Sequence, residues 1–239
     1  MKRLDFAGVG VRVVGGTDGV GGGDGPVVVL MHGFGARGDD LVPLWRAVDA
    51  PRGTRWVFPE APLVLQAVPV EGRAWWPIDI EEMMAASDRG GFDAYARRLP
   101  PGLDHARERI VACLNEVRSK LGVAKLVLGG FSQGAILACD VALRTDQALA
   151  GLAVLSGTLV GVDSGSPSLV DRTSLPVFQS HGASDELLPF VQAEKLRDAL
   201  MTRGMNVSWA PFGGGHAISD GVLRGLGQWL RGVFEDRSS

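Results

Sequence analysis

Ser132 sits in Gly130-Phe131-Ser132-Gln133-Gly134, a G-x-S-x-G pattern. An apolar run, Lys125–Leu128, leads into it, and an apolar helical pattern follows at once. A strand that turns into a helix within so few residues holds the central serine in a strained backbone conformation. The positions two residues to either side must then lack side chains to let the chain pass. The turn lifts the hydroxyl clear of the sheet, and the new helix points its positive end at it. The chemistry on offer is nucleophilic attack on an acyl carbon. A glycine-rich turn with an incidental serine is the plainer alternative, and the strand–turn–helix context weighs against it.

A serine hydroxyl is a poor nucleophile until a base takes its proton. The chain has four histidines. His105 lies within a helical pattern. His32 and His181 each end a strand before a glycine, but they come too early for the order serine, acid, histidine. His216, in Gly213-Gly214-Gly215-His216 after the last strand, has the right place, and the glycines let its loop swing the imidazole over Ser132. A histidine base also predicts that activity falls as pH drops and the imidazole takes up a proton. Asp185, after the strand Val177–Ser180, is the carboxylate expected to orient it. Glu186 and Asp163 compete, and Asp185 is favoured as the shorter side chain nearest its strand end. An oxyanion hole needs two N–H donors. Gln133, directly after the serine, supplies one, and the early loop His32-Gly33-Phe34-Gly35 supplies the other through Phe34.

The elements that must position these groups alternate between short apolar runs and helical periods. Strands are expected at Val9–Val14, Val27–Met31, Arg55–Phe58, Lys125–Leu128, Leu152–Leu155, Val177–Ser180 and Val207–Pro211. Helices are expected from Asp39 or Asp40 to Val48, and over Leu103–Leu121, Gln133–Arg144, Phe190–Arg203 and Ile218–Phe234. Gly15–Gly25 reads as a flexible loop and Val162–Ser174 as a polar one. The pattern is that of an α/β protein, a mostly parallel central sheet with helices on both faces, in one domain over residues 1–239. Ligands bind such sheets at the carboxyl ends of the strands.

Residues 60 to 101 show no clear period and read as an irregular excursion. They hold Trp75 and Trp76 side by side. Adjacent residues point different ways, so at least one of these rings is expected to line the cleft beside Ser132, with Leu187 or Leu188 on the opposite wall. The alternative is that both rings pin the excursion to the sheet.

Hydrophobic residues make up 46% of the chain, ample for a sizeable core, and the formal net charge of -3 comes without a basic run. Nucleic acid is therefore not expected as a partner. No apolar run approaches a membrane span, and the basic N-terminus has no apolar stretch behind it, so a cytoplasmic location is expected. Cys113 and Cys139 fall in apolar helical patterns and are expected to be reduced. Neither cysteines nor histidines show metal-ligand spacing, and no cofactor is expected. A catalytically silent binding protein on the same scaffold is the remaining alternative, and the complete set of Ser132, Asp185 and His216 argues against it.

Together these segments resemble the phospholipase/carboxylesterase family, which includes acyl-protein thioesterases and bacterial carboxylesterases. The likeness is carried by Leu30-Met31-His32-Gly33-Phe34-Gly35, Pro59-Glu60-Ala61-Pro62, Arg73-Ala74-Trp75-Trp76, the serine elbow, Leu155-Ser156-Gly157, His181–Asp185 with Leu188-Pro189, and His216. The resemblance implies the α/β-hydrolase fold with little or no lid. It also implies a small-molecule substrate: a carboxylic ester, lysophospholipid or acyl thioester. The Gly15–Gly25 loop and the polar loop after Leu155 depart from the family pattern.

Overall fold

The computed structural model of the protein describes residues 1–65, 71–161 and 169–235. Its frame is a nine-stranded sheet. The strands are β1 (Lys2–Phe6), β2 (Val9–Gly16), β3 (Val20–Gly22), β4 (Val27–Met31), β5 (Arg55–Pro59), β8 (Leu126–Phe131), β9 (Gly151–Leu155), β10 (Pro176–Gly182) and β11 (Asn206–Phe212). The order is β1-β2-β5-β4-β8-β9-β10-β11, with β3 on β2. From β5 through β11 all neighbours are parallel, whereas β1–β2 and β2–β5 are antiparallel.

The unbroken apolar runs have a simple cause. Side chains alternate across a strand, and both faces of this sheet are covered. Val27, Val29 and Met31 of β4 pack on one face with Leu126 and Leu128 of β8. Val28, Leu30 and Val127 pack on the other. The first face is covered by α4 (Leu103–Leu121) and α5 (Gln133–Arg144), the second by α7 (Asp220–Glu235). Helix α4 ends at Gly122, which takes the left-handed conformation with φ 58°; that is the usual glycine stop. Helix α5 is buried from Gln133 through Leu143, as its all-round apolar pattern requires. Asp140 accepts from Arg107 of α4 and from Arg144, both at 2.7 Å, which ties the two helices together.

Several expectations need correction. No helix starts at Asp39 or Asp40; α1 is a single turn, Leu44–Ala47, behind Pro43. The Gly15–Gly25 stretch is not wholly irregular, because it contains β3. The excursion over 60–101 is also more regular than expected. It holds a hairpin of β6 (Leu63–Leu65) and β7 (Gly72–Ala74), then α2 (Ile80–Asp88) and α3 (Phe92–Arg97). Asp79 caps α2 by accepting from the N–H of Glu82 at 2.9 Å. Strand β1 adds an antiparallel edge ahead of the first strand expected from the sequence. Most of the polar loop after Leu155, including Asp163, lies outside the described residues. The remaining helix, α6 (Phe190–Thr202), falls where its period places it.

Candidate active site

Four strands deliver the site from their carboxyl ends: β4 leads to Phe34, β8 to Ser132, β10 to Asp185 and β11 to His216. Ser132 adopts φ 54° and ψ −119°, a conformation L-residues avoid. The surroundings enforce it. The Ser132 N–H donates to Leu155 O at 2.9 Å, and Ser132 O accepts from Ala135 and Ile136 as α5 begins. A Cβ at Gly130 would run into the backbone of Gly134, and one at Gly134 into the carbonyls of Met31 and His32. Both glycines are therefore required by backbone contact.

Asp185 and His216 are joined directly. Asp185 Oδ2 accepts from His216 Nδ1 at 2.7 Å. The Asp185 side chain is fully buried and that of His216 is 14% exposed. Their loops are stitched to each other: Ala183 N–H donates to Phe212 O at 2.8 Å and Ser184 N–H to Gly214 O at 2.9 Å. Gly182 lets the glycine run before His216 lie against the end of β10. The imidazole packs on Phe131, with ring centroids 4.9 Å apart. Burial alone would push the Asp185 carboxyl up. Hydrogen bonds from His181, His216 and the Leu188 N–H outweigh it and hold the group well below the usual carboxylate range. Glu186, the adjacent competitor, is exposed.

Ser132 and His216 share the wall of one cleft of about 170 Å³. Gly33, Phe34 and Gln133 line it too, and Leu187 and Leu188 are on its apolar wall with Ile78, Ile80 and Met83. Gln133 opens α5, so its N–H falls in the first turn, where donors lack intrahelical acceptors. Phe34 is held by a tied loop: Gly35 N–H donates to Arg73 O at 2.8 Å, and Arg73 N–H to Ala36 O at 2.9 Å. His32 supports the same loop. Its Nδ1 faces Gly33 O at 2.8 Å, and its Nε2 accepts from the Ala61 N–H at 3.0 Å. An acceptor Nε2 leaves the proton on Nδ1, and burial favours this neutral form. His105 is exposed on α4.

The two tryptophans are not where they were expected. Both belong to the core, Trp75 at 3% and Trp76 at 2% exposure, and neither lines the cleft beside Ser132. Trp75 Nε1 donates to His32 O at 2.9 Å. Trp76 borders a separate groove with Tyr95, Leu99 and Pro100. Arg73 of β7 is hydrogen-bonded to Gly35 and Ala36 in the loop after β4, and the two adjacent rings that follow find two different packing sites. Sequence reasoning also missed the side chains of Gln133 and His181. Gln133 holds the backbone on either side of the Trp75–Trp76 peptide: Oε1 accepts from Trp75 N–H at 2.9 Å and Nε2 donates to Trp76 O at 2.8 Å. A glutamine inside an otherwise apolar helix start was the available signal.

A strained serine turn at the carboxyl edge of such a sheet defines an α/β-hydrolase. The phospholipase/carboxylesterase family model matches residues 23–233, and the chain belongs to that family. A probable carboxylesterase of Oryza sativa subsp. japonica is 30% identical over 215 residues, covering 85% of this chain and 76% of the relative. Acyl-protein thioesterase 1 of Gibberella zeae is 24% identical over 219 residues, covering 85% and 88%. The crystal structure of esterase PE8 superposes with a TM-score of 0.76 at 27% identity, covering 94% of this chain and 99% of that one. The protein is a hydrolase of esters.

Proposed function

We propose that the protein cleaves carboxylic esters through an acyl-enzyme on Ser132, with His216 as general base and Asp185 as its orienting carboxylate. The observation that carries this reading is the 2.7 Å bond from His216 Nδ1 to buried Asp185, with that imidazole in the same cleft wall as the strained Ser132. The bond fixes the tautomer whose free Nε2 can accept the serine proton. Ser132 Oγ then attacks the acyl carbon as its proton passes to Nε2. The N–H groups of Phe34 and Gln133 receive the oxyanion. Collapse expels the alcohol, protonated by His216, and water repeats the sequence to release the acid.

The small, largely apolar cleft favours short acyl groups. Thioesters and lysophospholipids are further substrates of the same chemistry. Among the described residues no helix is long and apolar enough to cross a membrane. A cytoplasmic location is proposed on the free, buried Cys113 and Cys139. The test is a panel of p-nitrophenyl and acyl-thio esters of graded chain length on wild type and Ser132→Ala. Turnover should be fastest on short acyl chains and fall by several orders of magnitude in the variant, with an unchanged circular dichroism spectrum. A variant that retains turnover would remove Ser132 from the mechanism.

A further inference from the structure

A second histidine touches the Asp185 carboxylate, one that the ester-hydrolysis scheme does not use. His181 is the penultimate residue of β10, and its side chain is fully buried. Its Nε2 stands 2.8 Å from Leu188 O and 3.2 Å from Asp185 Oδ2. A carbonyl and a carboxylate can only accept, so the proton must sit on Nε2 and be shared between them. The other ring nitrogen, Nδ1, is buried without a hydrogen-bond partner. A buried polar atom without a partner is costly, so the arrangement gives up Nδ1 to keep the Nε2 contact.

The carboxylate is then fully occupied. An ionised carboxylate offers about four lone-pair sites. Asp185 Oδ1 accepts from the N–H groups of Leu187 at 3.0 Å and Leu188 at 2.9 Å. Oδ2 accepts from His216 Nδ1 at 2.7 Å and faces His181 Nε2 on its other side. The two backbone donors set the position of Oδ1, but they leave Oδ2 free to swing about that anchor. His181 closes this freedom. Phe190 lies edge-on to its ring, centroids 6.2 Å apart, and limits tilting.

We propose that His181 is a positioning residue for ester hydrolysis: its Nε2–H holds Asp185 Oδ2 in line with His216 Nδ1. The inference rests on the reading of Asp185 and His216 given above. It acts on the step in which His216 becomes a cation, so it governs kcat and leaves substrate binding alone.

The experiment compares kcat and KM for p-nitrophenyl butyrate in wild type, His181→Leu, His181→Gln, Asp185→Asn and the double variant His181→Leu/Asp185→Asn. Loss of one hydrogen bond to a buried charge should lower kcat roughly ten- to hundredfold in His181→Leu, with KM within about twofold of wild type. His181→Gln, whose amide N–H reaches the Nε2 position, should recover most of the loss. Adding His181→Leu to Asp185→Asn should cost little more, since the group it positions is gone. Should His181→Leu fail to fold, His181→Asn, with an amide too short to reach Oδ2, takes its place. The proposal is overturned if His181→Leu lowers thermal stability but keeps kcat, if His181→Gln is as slow as His181→Leu, or if the two losses multiply in the double variant. A crippled Asp185→Asn beside an unimpaired His181→Leu sinks this proposal alone. A fully active Asp185→Asn sinks the assignment of Asp185 and this proposal with it.

Discussion

The side-chain carbonyl of Gln133 accepts a hydrogen bond from the N–H of Trp75 at 2.9 Å. The residue next to Ser132 thus uses its side chain to fasten the 60–101 excursion to the elbow helix. Gln133→Ala keeps the backbone donor but strands the buried Trp75 N–H and Trp76 C=O. Each unsatisfied group should cost about 1–3 kcal/mol. Thermal denaturation should show a clear loss of Tm, and kcat should fall far less than in Ser132→Ala. An unchanged Tm would mean that the excursion does not depend on this clamp.

The tryptophans and leucines should separate cleanly. Trp76→Ala empties a core site and should destabilise the protein by about 3–5 kcal/mol while leaving the preference among acyl chain lengths as it was. Leu188→Ala enlarges the cleft wall and should move that preference toward longer chains. A chain-length series on both variants, read beside their Tm values, checks this. A shifted preference in Trp76→Ala would return the ring to the substrate pocket.

Asp185 should affect behaviour at acid pH as well as activity. Asp185→Asn keeps the volume but favours the wrong tautomer of His216, and kcat should drop by up to roughly 10⁴; Glu186→Gln should be mild. The carboxyl is held below its ordinary value in the folded state. Its contribution to stability is therefore complete above the unfolded carboxylate range, ~3.9, and is lost as pH falls through the folded value. The stability gap between wild type and Asp185→Asn should be widest near neutral pH and narrow below about pH 4. Urea midpoints at the two pH values measure it, and a constant gap would contradict the sign.

Since Asp185 stays ionised well into acid, it should add no acid limb of its own to kcat/KM above about pH 4. Asp40 is an acid in the cleft wall. Partial burial pushes its carboxyl up. Asp40→Asn tests whether it contributes. The fall in activity toward acid pH should be the same in that variant as in wild type, and its disappearance would assign the titration to Asp40.

The two cysteines offer a check independent of catalysis. Burial pushes both thiols up to about 12, so neither forms the reactive thiolate near neutral pH. Folded protein should resist a maleimide at pH 8 and retain full activity, and both thiols should react once the chain is unfolded in guanidinium.

The parts that could be read from the chain were those decided by local sterics or a long period. Gly130 and Gly134 announce the elbow because the backbone of Gly134 and the carbonyls of Met31 and His32 leave no room for a Cβ. Helix α4 repeats its apolar face over five turns and stops at a glycine. Strand β1 escaped notice because its hairpin turn uses Ala7 and Gly8 at φ 55° and 76°. Such a turn normally advertises itself with Asn-Gly or Asp-Gly. Strands β6 and β7 have three residues each, too few for a period to emerge. His181 was set aside by its chain order, which excludes it as the base but says nothing of a contact made through Asp185.

Whether Ser132 carries the acyl group is read by active-site labelling. The protein is treated with a fluorophosphonate, digested, and the modified peptide sequenced by mass spectrometry, with activity followed in parallel. One adduct per chain is expected, on Ser132 within Gly130-Phe131-Ser132-Gln133-Gly134, appearing in step with loss of esterase activity and absent from Ser132→Ala. An adduct on another serine, or complete inactivation with Ser132 unmodified, would contradict it.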